Sequence, residues 1–269
     1  NKIGEVGYNL KGIATVTRQK YLTASEKGPW ANSYDRWRND NLTNRYQGVQ
    51  FGYTSAGRYT SWNDIWNYYG FKERDVLPGD YKYEDWNGDG EINGQDEHPF
   101  AFDQTPWLQF SLNAGLQWKN FDFNMLLQGS ALGSMEYKEP LHEIWGKNGG
   151  GALTQFLDRW HPVDPKADPY DPSTVWTSGH YAYTGRWAKN NSAFNRVSTA
   201  YLRLKSIELG YTFPKLKQIP NASLRVYANA YNLLTFTGVK FVDPEHPDDD
   251  LGRMYPLNKT YTLGVSLSF

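Results

Sequence analysis

One stretch concentrates the side chains that could hold a hard cation. Asp85, Asn87 and Asp89 fall at positions 1, 3 and 5 of a twelve-residue run, with Gly90 at 6, Glu91 at 7, Asn93 at 9 and Asp96 at 12. This is the spacing of a calcium loop, in which a tight turn aims alternate oxygens at one point. Asp85, Asn87, Asp89 and Asp96 would ligate through side chains, Glu91 through its backbone carbonyl, and Asn93 through a water. Position 12 is an Asp, not the bidentate Glu of an EF-hand, and its shorter arm lowers the coordination number. Ca²⁺ is expected ahead of Mg²⁺, by a narrowed margin. Pro78-Gly79 before the run and Pro99 after it leave no flanking amphipathic helices. The expected object is an isolated metal loop. The competing reading is a metal-free pair of Asn-Gly and Asp-Gly turns.

Catalysis finds little support elsewhere. His98, His142, His161, His180 and His246 fit no H-E-x-x-H pattern, and there is no G-x-S-x-G elbow or phosphate-binding glycine loop. The absence of cysteine removes thiolate zinc sites, disulfides and a Cys nucleophile. The chain reads as a non-enzyme, although a glycosidase carboxylate pair stays open. Asp248-Asp249-Asp250 reads as a solvated loop face or a weak cation site.

The elements that must position these residues are strands. Charges nearly balance, 28 basic against 29 acidic, which argues against a nucleic-acid partner while a local basic patch stays open. No apolar run approaches the roughly 20 residues of a transmembrane helix. A membrane β-barrel escapes that test, because its strands alternate. Aromatic residues make up 16% of the chain, with 25 Gly and only 3 Met, which points to a β-protein or a carbohydrate binder. With no initiator Met or signal pattern at Asn1, the chain reads as a piece of a longer mature protein.

Period-2 alternation predicts six strands, about 5–20, 107–118, 121–132, 201–213, 222–236 and 259–269. In the second, Leu108, Phe110, Leu112, Ala114 and Leu116 share one face, and Gln109, Ser111, Asn113 and Gln117 the other. The fourth changes parity between Leu204 and Ile207, which predicts a β-bulge at Lys205-Ser206. Short helices are expected at Ser61–Tyr69, capped by Ser61, and at Leu153–Trp160. Long links (21–106, 133–199, 237–257) alternate with short ones. In an up-and-down sheet this puts every long loop at one end, as in an outer-membrane barrel. The apolar faces would then meet lipid, with Trp107 and Trp118 as an aromatic girdle. The rival is a soluble β-sandwich, which also has one dry face. Six strands are too few for a membrane barrel, so the remaining strands would lie N-terminal to this piece.

The resemblance rests on short stretches in a fixed order. They are Phe51-Gly52-Tyr53, Gly57 and Trp62-Asn63-Asp64-Ile65; Pro78-Gly79-Asp80-Tyr81-Lys82-Tyr83 leading into Asp85-Trp86-Asn87-Gly88-Asp89-Gly90; Tyr201-Leu202-Arg203-Leu204-Lys205 continuing to Leu209-Gly210-Tyr211; Asn232-Leu233-Leu234-Thr235-Phe236-Thr237; Asp243-Pro244-Glu245; and Tyr255-Pro256 before Leu263-Gly264. From end to end, the chain resembles the C-terminal part of SusC/RagA-type TonB-dependent outer-membrane transporters. Phe269 is similar to the terminal aromatic signal of such barrels. The resemblance implies an all-β antiparallel transmembrane β-barrel, completed by an N-terminal barrel part and plug. It implies import of oligosaccharides or peptides across the bacterial outer membrane, a SusD-like surface lipoprotein over the loops, and energy from TonB. The alternative is a secreted β-rich glycan-binding or glycoside-hydrolase module with a calcium loop. Nine Trp (30, 37, 62, 66, 86, 145, 160, 176 and 187) fall in the long links. Most are expected in small loop cores, and some as platforms for sugar rings.

Overall fold

The computed structural model describes residues 1–23, 29, 31–37, 43–68, 76–138, 141–142, 144, 153–185, 188–189, 191–214, 222–245 and 254–269. Trp30, Trp145, Trp187, His246 and Asp248-Asp249-Asp250 lie outside the described residues. A two-residue strand, β1 (Lys2–Ile3), turns into β2 (Val6–Val16). The first long link carries the one-turn helix α1 (Ser33–Asp35), β3 (Val49–Gly52), β4 (Ser55–Arg58), α2 (Trp62–Asn67), β5 (Tyr81–Tyr83) and β6 (His98–Phe102). The hairpin β7 (Leu108–Trp118) and β8 (Phe121–Ala131) follows. The second long link carries β9 (Ser134–Glu136), β10 (His161–Pro162), β11 (Trp176–Thr177) and β12 (Arg196–Ser198). The chain closes with β13 (Tyr201–Phe213), β14 (Ser223–Thr237) and β15 (Thr260–Ser268).

Seven strands form one antiparallel sheet in the order β1-β2-β7-β8-β13-β14-β15. Apart from the stub β1, these are the six segments in which polar and apolar residues alternate. β2 ends at Val16, short of the expected Lys20, because the chain beyond it pairs elsewhere. Lys20 bridges to Tyr46, and the Tyr21 amide donates to the Arg45 carbonyl at 3.0 Å. The register of β13 shifts between Leu204 and Ser206 against both neighbours. Against β8 the extra residue is Lys205, whereas against β14 the extra residue lies on β14 between Tyr231 and Leu234; Leu204 and Ile207 stay on one face.

Cross-strand partners share a face, and here the two faces differ in kind. On one, Leu10 pairs Ala114, Ala114 pairs Met125, Met125 pairs Ile207, Ile207 pairs Ala230, and Ala230 pairs Tyr261. No charged side chain occupies a paired position of that face. On the other, Asn124 pairs Glu208, Glu208 pairs Asn229, and Asn229 pairs Thr262. All the strand charges in register lie there, including Lys11, Asp122, Glu208, Arg203 and Arg225. An Arg facing lipid at the bilayer midplane costs roughly 2–4 kcal/mol, so these charges assign their face to water.

The apolar face is uncovered. Leu263 is 85% exposed, Leu10 67% and Val226 41%, and Leu108, Phe110 and Leu112 are not buried. A sandwich would bury these residues against a second sheet. The buried apolar side chains gather instead in the long links, around Tyr59, Ile65 and Val76, and around Ile144, Phe156 and Tyr181. One expected girdle residue departs from its role. Trp107 is buried, with Phe102 at 3.9 Å between ring centroids, Tyr46 at 5.4 Å and the Arg18 guanidinium 4.4 Å over its ring. It sits at the base of the first long link, where loop residues fold over it. Trp118 stays exposed at the short-turn end, near Phe121 and the Phe121–Tyr211 edge contact.

Candidate functional site: the long-link end of the sheet

The acidic run forms a tight loop between β5 and β6. Positive φ at Gly88 (75°) and Gly90 (83°) turns the backbone so that its amides point inward. Asp85 Oδ1 accepts from the Gly88 and Asp89 amides at 2.8 and 3.2 Å, and its Oδ2 accepts from Gly90 at 2.8 Å. Asn87 Oδ1 accepts from the Asp89 amide, and Asp89 Oδ1 from the Glu91 amide. Asn87 Nδ2 donates to Asp89 Oδ2 at 2.9 Å. Asp85, Asn87 and Asp89 are thus brought together as the spacing predicts.

Asp96, the residue expected at position 12, also has a structural task. It is fully buried and closes the loop, accepting from the Trp86, Asn87 and Asn93 amides. With Asn93 it forms a capping box on the one-turn helix Gly94–Asp96. Burial pushes its carboxyl above the usual range, helped by nearby Asp85, while the three amide bonds oppose the shift. Among the described residues, no three His, Asp or Glu side chains converge in a metal-ready group. The loop oxygens already accept amide protons, yet a carboxylate oxygen keeps a second lone pair that a cation can use. The donor set therefore fits a hard cation without demanding one.

An aromatic stack flanks this loop. Trp86 lies parallel to Trp37 at 5.5 Å and 6°, and to His98 at 5.0 Å and 15°. Tyr34 and Phe51 abut Trp37. Trp37, Trp66 and Trp86 are exposed, whereas Trp160 is buried and packs on Gly79. At α2 the Ser61 hydroxyl caps the Asp64 amide at 3.2 Å. The Asp64 carboxylate reaches back to the Thr60 amide and takes Lys82 Nζ at 2.7 Å. The expected helix at 153–160 is a single 3₁₀ turn, Thr154–Leu157.

Sequence reasoning missed the ion cluster that ties the third long link to the sheet. Arg203 is 1% exposed and points from β13 along the polar face. Its Nη1 donates to Glu245 Oε2 and its Nη2 to Asp243 Oδ2, both at 2.6 Å, and its Nε to the Thr235 hydroxyl. The Tyr201 hydroxyl donates to Glu245 Oε1 at 2.8 Å. A lone Arg in an alternating strand was the available signal. Its carboxylate partners, 40 and 42 residues away, were not. Nearer the short turns, Arg225 bridges Asp122 (2.5 Å) and Glu208 (2.7 Å) across three strands.

A single long antiparallel sheet, charged on one face and bare on the other, with structured links at one end, defines part of the wall of a transmembrane β-barrel. The solved RagAB peptide transporter has the same fold over 100% of this chain, with a TM-score of 0.61 and 18% identity; the match covers 28% of that chain. The "closed-closed" RagAB peptide importer gives a TM-score of 0.60 over the same shares. Among curated proteins, TonB-dependent receptor P3 of Formosa agariphila is 28% identical over 72% of this chain and 19% of its own length. TonB-dependent receptor P26 of the same organism is 27% identical over 83% and 22%. TonB-dependent receptor SusC of Bacteroides thetaiotaomicron is 26% identical over 77% and 19%. The chain resembles SusC/RagA-type TonB-dependent receptors over most of its length, and it spans about a fifth of the curated relatives it matches. No protein-family model matches it.

Proposed function

We propose that this chain is wall and outer-loop structure of an outer-membrane importer of the SusC type, working by transport and not by catalysis. The observation that carries the proposal is the uncovered apolar face backed by a charged one. At about 25 cal/mol per Å², six strands of bare Leu, Val, Phe and Tyr are tolerable only against lipid. The secreted-module alternative has no partner for that face among the described residues. The remaining strands and plug, a SusD-like lipoprotein over the loops, TonB coupling and an outer-membrane location belong to this proposal through the relatives.

Oligosaccharides are the proposed cargo. Trp66, exposed at the long-link end, offers a flat face for sugar C–H groups, whereas Trp37 and Trp86 present ring edges because their faces stack on each other and on His98. One relative is named SusC. Peptides are the second reading, supported by the RagAB structures, which are described as a peptide transporter and importer. Ca²⁺, ahead of Mg²⁺, is the proposed occupant of the Asp85, Asn87, Asp89, Glu91 and Asp96 loop, where it would neutralise carboxylates and stiffen the loop. The test is binding by the complete transporter, purified with its lipoprotein partner, against arrays of oligosaccharides and mixed peptides. Binding of oligosaccharides is expected; affinity for peptides alone would overturn the cargo, and absence of the protein from the outer-membrane fraction would overturn the transporter.

A further inference from the structure

Beyond Thr237, where β14 ends, the third long link bends back onto the sheet over residues 238–245. In the middle of this strap Phe241 has φ 72°, in the left-handed region. Asn44, Asn191 and Asn232 also lie there, but a short Asn side chain suits that conformation and an aromatic one does not. Such a backbone costs free energy and persists only where the surrounding contacts over-determine it.

Two clasps from different elements do so here. On the N-terminal side stands Tyr137 of the second long link. Its hydroxyl donates to the Lys240 carbonyl at 3.0 Å and accepts from the Lys240 amide at 2.8 Å. Tyr137 is itself fixed, because its amide donates to the Asn195 carbonyl at 2.7 Å. Its ring lies 6.4 Å from that of Phe241, centroid to centroid. On the C-terminal side Asp243 and Glu245 grip the buried Arg203, and Glu245 accepts from the Tyr201 hydroxyl. The Glu245 amide donates to Asp243 Oδ1 at 3.0 Å, and Pro244 between them is buried. The strap is also a wall. Pro244 and Glu245 line a cavity of about 670 Å³ at the long-link end of the polar face, together with Ile13, Gln109, Leu126 and Thr199.

We propose that residues 238–245 form a spring-loaded strap that couples the second long link to β13 and sets the width of this cavity. The strained turn at Phe241 is held by a clasp on either side, and neither clasp belongs to the turn itself. When one clasp opens, Phe241 relaxes to negative φ, the chain beyond it changes direction, and the other clasp is lost. A small displacement of Tyr137 is thereby amplified into a two-state movement. It draws Pro244 and Glu245 off the wall and uncovers Arg203 on the polar face. The coupling is reciprocal: whatever takes Arg203 from its carboxylates loosens the Tyr137 end by the same factor. The inference concerns the movement of the links and stands whatever the cargo.

Amide hydrogen exchange of the complete transporter reads the strap. Phe241→Gly and Phe241→Ala are compared first. Glycine adopts positive φ freely, whereas alanine keeps the strain. Amides 239–245 should therefore exchange about tenfold more slowly in the glycine variant than in the alanine variant. At a relaxed position the order reverses, because glycine adds backbone freedom to the open strap; that reversed order would overturn the proposal. Tyr137→Phe removes the first clasp and keeps the ring. It should speed exchange about tenfold at the Glu245 amide, on the far side of Phe241. Arg203→Met should do the same at the Lys240 amide. Losses confined to Lys240 in the first variant and to 243–245 in the second would reveal two independent contacts and end the coupling. Amides within β7 and β8 should keep their parent protection in every variant. A general loss there would refute a strap that moves apart from the sheet.

Discussion

The Arg203 cluster makes an asymmetric prediction. Arg203 is almost wholly buried, whereas the Asp243 and Glu245 side chains are 23% and 42% exposed. Deleting the cation and deleting the anions should therefore differ. Arg203→Met removes the buried charge and leaves two carboxylates that can turn to water. The cost is the lost charged hydrogen bonds, about 1.5–3 kcal/mol at most, discounted because Glu245 is solvent-screened. Asp243→Asn with Glu245→Gln strands a guanidinium in a dry site, which costs about 3–5 kcal/mol. The Glu245 exposure places the effect toward the lower end. The link undocks before the strands separate, so the observable is amide hydrogen exchange at 238–245 in the complete transporter. Each 1.4 kcal/mol is tenfold, so the double carboxamide variant should lose protection by roughly two orders of magnitude or more, and Arg203→Met by about one. Val239 is a suitable reporter, since its amide donates to the Thr237 hydroxyl beside the cluster. Equal losses in the two variants, or a larger loss in Arg203→Met, would refute the argument that the buried cation is the sensitive partner.

Other outcomes follow from single contacts. Asp89→Ala should loosen the 80–100 loop and leave the strands intact, and it should abolish Ca²⁺ heat in titrations of the metal-stripped protein; no heat from either Ca²⁺ or Mg²⁺ in the parent protein would end the metal reading. A Cβ at Gly210 would lie 2.5 Å from Arg225 Nη2 and from Asp122 Oδ2. Gly210→Ala should therefore displace the flexible ends of both side chains, which are 29% and 21% exposed and can give way, and lower the temperature for heat-induced loss of the folded band on gels only slightly; a large drop would contradict the packing described. Burial alone would raise the Asp64 carboxyl, but hydrogen bonds from Lys82 and Thr60 outweigh it and hold the pKa below the usual value. A depressed acid stabilises the fold above its unfolded pKa, near 3.9, and that contribution disappears as pH falls through the lower folded value. Acidification from pH 5 to below 3 should loosen α2, reported by Trp62 and Trp66 fluorescence, and Asp64→Asn should flatten the response.

The sheet was legible because its signal is local. A strand with one face in lipid and one in water repeats every two residues, and Leu108 through Leu116 states that repeat without reference to any other part of the chain. The Lys205 bulge was equally legible, since a change of parity between Leu204 and Ile207 can keep both on the same face in only one way. The turns of the acidic loop were fixed by Gly88 and Gly90 beside Asp85, Asn87 and Asp89, because side-chain oxygens bond amides two to five residues on. A second role of Asp96, beyond the ligand position that its spacing suggests, was not legible: only the folded loop turns its carboxylate onto the amides of Trp86, Asn87 and Asn93.

Distance along the chain explains what the sequence withheld. Nothing near Trp107 distinguishes a girdle residue from the base of a loop; Tyr46 and Phe102 decide it by packing on the ring. Alternation gives two faces to a strand without saying which is wet. The cross-strand register answers by collecting Asp122, Glu208 and Arg225 from three strands onto one side, where they form a single ion cluster. The cavity is wholly tertiary. Ile13, Gln109, Leu126, Thr199 and Glu245 come from five separate stretches, and each looks ordinary where it stands. The composition and spacing of this chain determined a membrane-type β-sheet with long links at one end, because hydrophobic alternation and turn chemistry are encoded residue by residue. Where a ligand could sit was decided only by folding, because a binding site is a meeting of distant side chains whose partners no local pattern specifies.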